Sequence, residues 1–119
     1  MKVFLASEFR CTVYKNEYYL APKAFTIYKR YADALGEIVL CSRFEHVDSL
    51  LPGYQKAEFI GDTININSLT KALIHKFDKL MIEKMMDCDL VIGRLPSIIG
   101  YRASDCAHKL NKKYFAECM

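Results

Sequence analysis

Residues 89 to 100 read Asp89-Leu-Val-Ile-Gly-Arg-Leu-Pro-Ser97-Ile-Ile-Gly100, an apolar run that stops at a polar turn and resumes with helical spacing. Leu90, Val91 and Ile92 are consecutively apolar, as in a strand covered on both faces, so Asp89–Gly93 is predicted as a buried strand. Pro96 cannot donate to a sheet ladder, which ends the strand before it. Ser97 is a good N-cap for the helix that follows. That helix would bury Ile99, Ala103, Cys106, Ala107 and Leu110 and turn Arg102, Asp105, His108 and Lys109 to water. In an open parallel sheet such a turn lies at the carboxyl end of a strand, where ligands bind. Arg94 stands there with a fixed positive charge. The plainer alternative is an ordinary connection with a surface arginine.

Outward from this stretch the chain alternates. Lys113–Cys118, with Tyr114 and Phe115 in its middle, reads as the following strand. Before it, Ser68 or Asn67 could cap a long helix reaching about Asp87, with Leu69, Leu73, Phe77, Leu80, Met81 and Met85 as its buried stripe. Its methionines read as gap-filling core. Its lysines read as a solvated face that would also suit peripheral contact with a cytosolic membrane surface. At the start, Lys2–Ser7 is a first strand, followed by an aromatic-rich loop of about 15 residues holding Glu8, Phe9, Arg10, Tyr14, Tyr18 and Tyr19; loops of that length are often functional. Pro22 opens a helix to about Leu35, ended by Gly36. Glu37–Cys41 is a second strand, with Arg43 just past it. Residues 44–53 form a connection with a Pro52-Gly53 turn, and Ala57–Ile60 is a short third strand. Asp62–Asn67 is polar and carries no clear pattern. Strands alternating with helices predict an α/β fold: a Rossmann-like, doubly wound parallel sheet of about five strands with helices on both faces.

A chain of 119 residues is one domain. With 52% hydrophobic residues it can bury a core, yet no apolar run approaches the ~18 residues of a membrane helix. The opening residues are too soon polar for a secretory signal. A net charge of +3 is too mild for a nucleic-acid protein. Five scattered cysteines with no Cys-x-x-Cys pair indicate neither a zinc site nor a disulfide framework; reduced thiols and a cytoplasmic location are the simplest account. The three histidines are too far apart in sequence to suggest a metal site.

The predicted carboxyl-end loops carry Glu8, Arg10, Arg43, Arg94, Ser97 and Glu117, three arginines and two carboxylates around one crevice. Arginine offers planar multiple donors to carboxylate, phosphate or sugar hydroxyls. The helix after Ser97 adds free N–H groups, a mild anion site. Aromatic residues of the first loop could lie flat on a sugar ring, or Tyr14, Tyr18 and Tyr19 could simply pack the loop down. The dinucleotide fingerprint, the P-loop and the Gly-x-Ser-x-Gly elbow are all missing from the sequence. Ser97 has no evident base.

Met1-Lys-Val-Phe-Leu-Ala-Ser-Glu-Phe-Arg10, Tyr31-Ala-Asp-Ala-Leu, Ile38-Val-Leu-Cys-Ser-Arg43, the stretch 89–100 and Lys112-Lys-Tyr-Phe-Ala-Glu117 together resemble the N-terminal, acceptor-side domain of bacterial GT-B glycosyltransferases of family four, which build surface polysaccharides. The resemblance covers essentially the whole chain and is loosest from Glu45 to Asn67. It implies that residues 1–119 are the N-terminal half of a two-domain retaining enzyme. A C-terminal domain would hold the nucleotide-sugar donor, with no other cofactor and no essential metal. A fifth strand with no helix after it also suggests a domain of a longer protein. By the resemblance, Arg94, Pro96 and Ser97 match the family's pattern at the domain cleft, Glu8 and Arg10 its first loop and Glu117 the end of its fifth strand. Arg94 would orient acceptor hydroxyls or offset leaving-group charge, and Glu117 would bind acceptor hydroxyls. The acceptor would be a glycan or lipid-linked sugar at the inner face of the membrane, and no catalytic residue is assigned. On this reading the chain alone is inactive. The alternative is a free-standing α/β ligand-binding or interaction module; a small flavodoxin-like enzyme gains nothing from the loops.

Overall fold

The computed structural model describes residues 1–118, which form nine strands and four helices. Five strands make the predicted parallel sheet: β1 (Lys2–Ala6), β4 (Glu37–Ser42), β7 (Ile60–Asn65), β8 (Leu90–Leu95) and β9 (Tyr114–Cys118). Their spatial order is β7-β4-β1-β8-β9, and every pairing is parallel. The order reverses between β1 and β8, the switch point of a doubly wound sheet. Alternation along the central strands splits their side chains between two cores. Phe4, Val39 and Val91 face one layer, built from α2 (Leu69–Leu73), α3 (Asp78–Met85) and α4 (Ile98–Lys109). Val3, Leu5, Ile38, Leu40 and Ile92 face the other, where α1 (Pro22–Leu35) contributes Ala24 and Tyr28. Helices thus cover both faces, as the apolar runs require. Gly36 ends α1 at φ +119, a value that favours glycine.

Four corrections come with the structure. The long first loop is instead the hairpin β2 (Cys11–Tyr14) and β3 (Glu17–Leu20), turned by Lys15 and Asn16, both at positive φ as a two-residue primed turn requires. With β5 (Phe44–His46) and β6 (Gln55–Lys56) it makes a second sheet, ordered β5-β2-β3-β6. The third parallel strand is Ile60–Asn65 and not Ala57–Ile60. It sits at the sheet edge, where only Ile60 and Ile64 need burial, so its polar residues hid it. The long helix is two short ones separated at 74–77, with His75 at φ +68. Ala72 and Met81 are both fully buried. Nine residues apart, they would point to opposite sides of a continuous helix at about 100° per residue; the break lets both enter one core. Finally, Arg102 does not turn to water. Its side chain is 11% exposed and pairs with Asp78 of α3 and Asp105.

The second sheet grows directly from the first. Cys11 N–H donates to the Arg43 carbonyl at 2.9 Å, and β2 then runs parallel to β5. The tracks of β1 and β4 therefore continue past the parallel sheet's carboxyl rim. Where a doubly wound sheet ordinarily carries a helix between neighbouring parallel strands, the β4-to-β7 connection carries β5 and β6. Cys11 and Leu20 of the second sheet close the core on α1's side, and Phe59 packs its ring 5.7 Å from Phe25 of α1.

Candidate functional site

The six residues singled out from sequence divide into two groups. Glu8, Arg94, Ser97 and Glu117 gather where β1, β8 and β9 end and α4 begins. The Ser97 hydroxyl accepts from Gly100 N–H and donates to the Arg94 carbonyl, both at 2.8 Å. A Cβ on Gly100 would stand 2.7 Å from that carbonyl and from Ser97 Oγ, so the tight approach of helix to turn needs glycine. The Glu8 carboxylate accepts from Ile98 N–H at 3.1 Å. An acidic group at a helix N-terminus meets the positive end of the dipole. The place a phosphate would take in an empty anion site is occupied by the chain's own side chain.

Arg94 is not a surface arginine: it is 4% exposed. Its Nη1 donates to Glu117 at 2.5 Å and reaches Tyr31 Oη at 3.5 Å. Phe9 covers the guanidinium with its ring centroid 5.2 Å away, a cation–π arrangement. Beneath lies Tyr28, whose ring meets Phe9 edge-on at 6.3 Å. Burial pushes the Tyr28 hydroxyl far above its ordinary range, with Ser7 and Arg94 pulling the other way. Tyr28 Oη and Arg94 Nε are buried without a well-aligned hydrogen-bond partner. The first group is therefore an internally paired wall at the switch point, stiff and largely closed.

Arg10 and Arg43 lie elsewhere. Together with Glu45, Phe44, Asn65 and Asn67 they line a hollow of about 190 Å³. Arg10 pairs loosely with Glu45 at 3.8 Å, both side chains more than half exposed. An adjoining hollow of about 250 Å³ is lined by Asn16, Tyr18, Phe44, His46, Thr63 and Asn65, among others. Tyr18 and Phe44 meet edge-to-face with centroids 5.7 Å apart. The Asn65 side-chain amide oxygen accepts from Phe44 N–H at 3.2 Å, and Tyr18 Oη lies 3.4 Å from Thr63 Oγ1. The sequence reading missed this second hollow because β7 was unassigned. The signal was present in Ile60 and Ile64, four apart with polar residues between them.

Among the described residues no cluster of three His, Cys, Asp or Glu could hold a metal ion, and no helix is long and apolar enough to cross a membrane. Four thiols are buried: Cys11, Cys41, Cys88 and Cys106. Desolvation raises all four, Cys11 to about 12 and Cys88 and Cys106 to about 11. None is a nucleophile at neutral pH.

No protein-family model matches the chain, and no solved structure matches it. The chain is similar to Protein CapJ of Staphylococcus aureus, with 26% identity over 125 aligned residues covering 98% of this chain. It spans 31% of the length of that curated relative.

Proposed function

We propose that the chain is an acceptor-binding domain of a glycosyltransferase that builds a capsular or related surface polysaccharide. The supporting observation is its similarity to Protein CapJ along 98% of its length, a name we read as that of a capsule protein. The parallel sheet with a switch point between β1 and β8 suits such a role, since ligands of open α/β sheets bind at the carboxyl rim. On this reading Arg10 and Arg43 meet the acceptor. Glu8, Arg94, Ser97 and Glu117 hold the wall beside it in shape. A donor-binding domain elsewhere in the same protein would supply the nucleotide sugar, and the acceptor would be a glycan or a lipid-linked sugar at the membrane. Deleting the encoding gene should strip cells of the polysaccharide, and the intact gene should restore it. Cells that keep their polysaccharide after deletion overturn the proposal.

A further inference from the structure

The hollow at Arg10 and Arg43 gathers positive charge that the fold itself leaves largely unpaired. Cys11 faces Phe44 in the parallel register of β2 and β5, and Cys11 N–H donates to the Arg43 carbonyl. Arg10 and Arg43 each stand one residue earlier, so the same register sets them side by side. Alternation turns Arg10, Arg43 and Glu45 to one face of the sheet and Phe44 and His46 to the other. The Arg10–Glu45 contact at 3.8 Å agrees with that placement. Like charges facing each other on neighbouring strands cost stability, and a pair that breaks this local rule is expected where a site needs it.

Among the described residues Arg43 has no ion-pair partner, and Arg10 has only the exposed contact with Glu45. Pairs that long and exposed contribute little, so Glu45 yields its place to an incoming anion. At about 190 Å³ the hollow falls short of the ~300 Å³ at which small-molecule sites begin; it suits a charged group and not a whole sugar. A carboxylate carries a single charge and is filled by one arginine fork. A phosphate ester carries about two negative charges and three acceptor oxygens, enough to engage both forks together. The amides of Asn65 and Asn67, which line the same hollow, add further donors.

We infer that Arg43 and Arg10 together bind the phosphate group of a phosphorylated acceptor. The inference rests on the acceptor-domain reading and names the charge that the acceptor carries. The test is an NMR titration of the chain at pH 7.5 and fixed ionic strength with inorganic phosphate, glucose 1-phosphate, geranyl phosphate and methyl β-glucuronide. At least one phosphate should bind about tenfold more tightly than the glucuronide, the difference that one charged hydrogen bond makes, and should move the amide signals of Arg10, Arg43 and Asn67. The tighter of the two esters tells a sugar phosphate from a lipid phosphate. Arg43→Gln and Arg10→Gln should each weaken phosphate binding by about tenfold, whereas Glu45→Gln should tighten it by about threefold, the share of an exposed pair. Arg43→Gln should also leave the Tm of the unliganded chain at or above that of the parent, because it relieves the like-charge contact. Phosphate bound no better than glucuronide, signals that move elsewhere, binding that survives both arginine substitutions or weakens in Glu45→Gln, or a lower Tm for Arg43→Gln would overturn the inference. Failure here with the gene still required for polysaccharide refutes the phosphate site alone; success with a dispensable gene refutes the acceptor role alone.

Discussion

The pairing of Arg94 with Glu117 is unequal in a way that decides how each residue responds to change. The Arg94 side chain is 5% exposed and that of Glu117 37%. Removing Glu117 strands a buried guanidinium, and breaking a buried pair from one side costs about 3 kcal/mol. Replacing Arg94 by methionine keeps much of the volume and leaves Glu117 able to reach water. Glu117→Ala should therefore lower unfolding stability more than Arg94→Met, measured by urea denaturation at pH 7. Equal losses, or the opposite order, would show that the guanidinium draws its main support from Phe9 and Tyr31. Gly100 gives a second residue-scale test. Its added Cβ meets a backbone carbonyl that cannot swing aside, so Gly100→Ala should cost about 2 kcal/mol, the usual range for overpacking. Alanine would be the better residue in an unconstrained helix, so a stabilised variant would mean the approach of α4 to Arg94 is looser than the geometry indicates.

Among the elements, what could be read from sequence follows how much each depends on its own residues. The strand at 90–95 declared itself because both its faces are buried, and α4 because Ser97 supplies a local cap. Glu37–Ser42 and Lys2–Ala6 were legible for the same reason as β8. The hairpin was hidden by a turn of Lys15 and Asn16 with no glycine, and β7 by its position at an edge. The site followed the same division. Arg94 was singled out as following a strand that ended at Gly93, whereas it lies inside β8. The hollow at Tyr18, Phe44 and Thr63 depends on contacts between β3, β5 and β7, of which only β7 left a local signal, in Ile60 and Ile64. The break between α2 and α3 is another long-range effect, imposed by a core that needs both Ala72 and Met81. It can be tested at His75, whose left-handed backbone disfavours any side chain. His75→Gly should be more stable than His75→Ala by about 1 kcal/mol, since only glycine adopts φ > 0 freely. Thermal unfolding of the two variants decides it. Alanine as the more stable residue would mean a continuous helix, because there the preference reverses by a similar amount.

For the molecule as a whole, two cores share one sheet and both hold buried thiols: Cys41, Cys88 and Cys106 on the side of α2, α3 and α4, and Cys11 under the second sheet. Only Cys118 is exposed. A thiol reagent at pH 8 should therefore modify one cysteine in the folded chain and five after denaturation. Intermediate stoichiometry would locate a loose layer, with Cys11 reporting whether the second sheet detaches from the first. The same burial fixes the alkaline behaviour. The buried thiols stay protonated above their ordinary value of 9.0, so the folded state holds protons that the unfolded state gives up. Their contribution to stability is fully present below about pH 9 and declines as pH rises toward the folded values near 11 and 12. Tm measured from pH 8 to 10.5 should fall, and less steeply in Cys88→Ala than in the parent chain. The parent loses the Cys88 share of this proton linkage, while the variant's cost from the lost thiol packing is the same at every pH. Identical slopes would place the alkaline loss on other groups, and a Tm that rises with pH would contradict the burial of these thiols altogether.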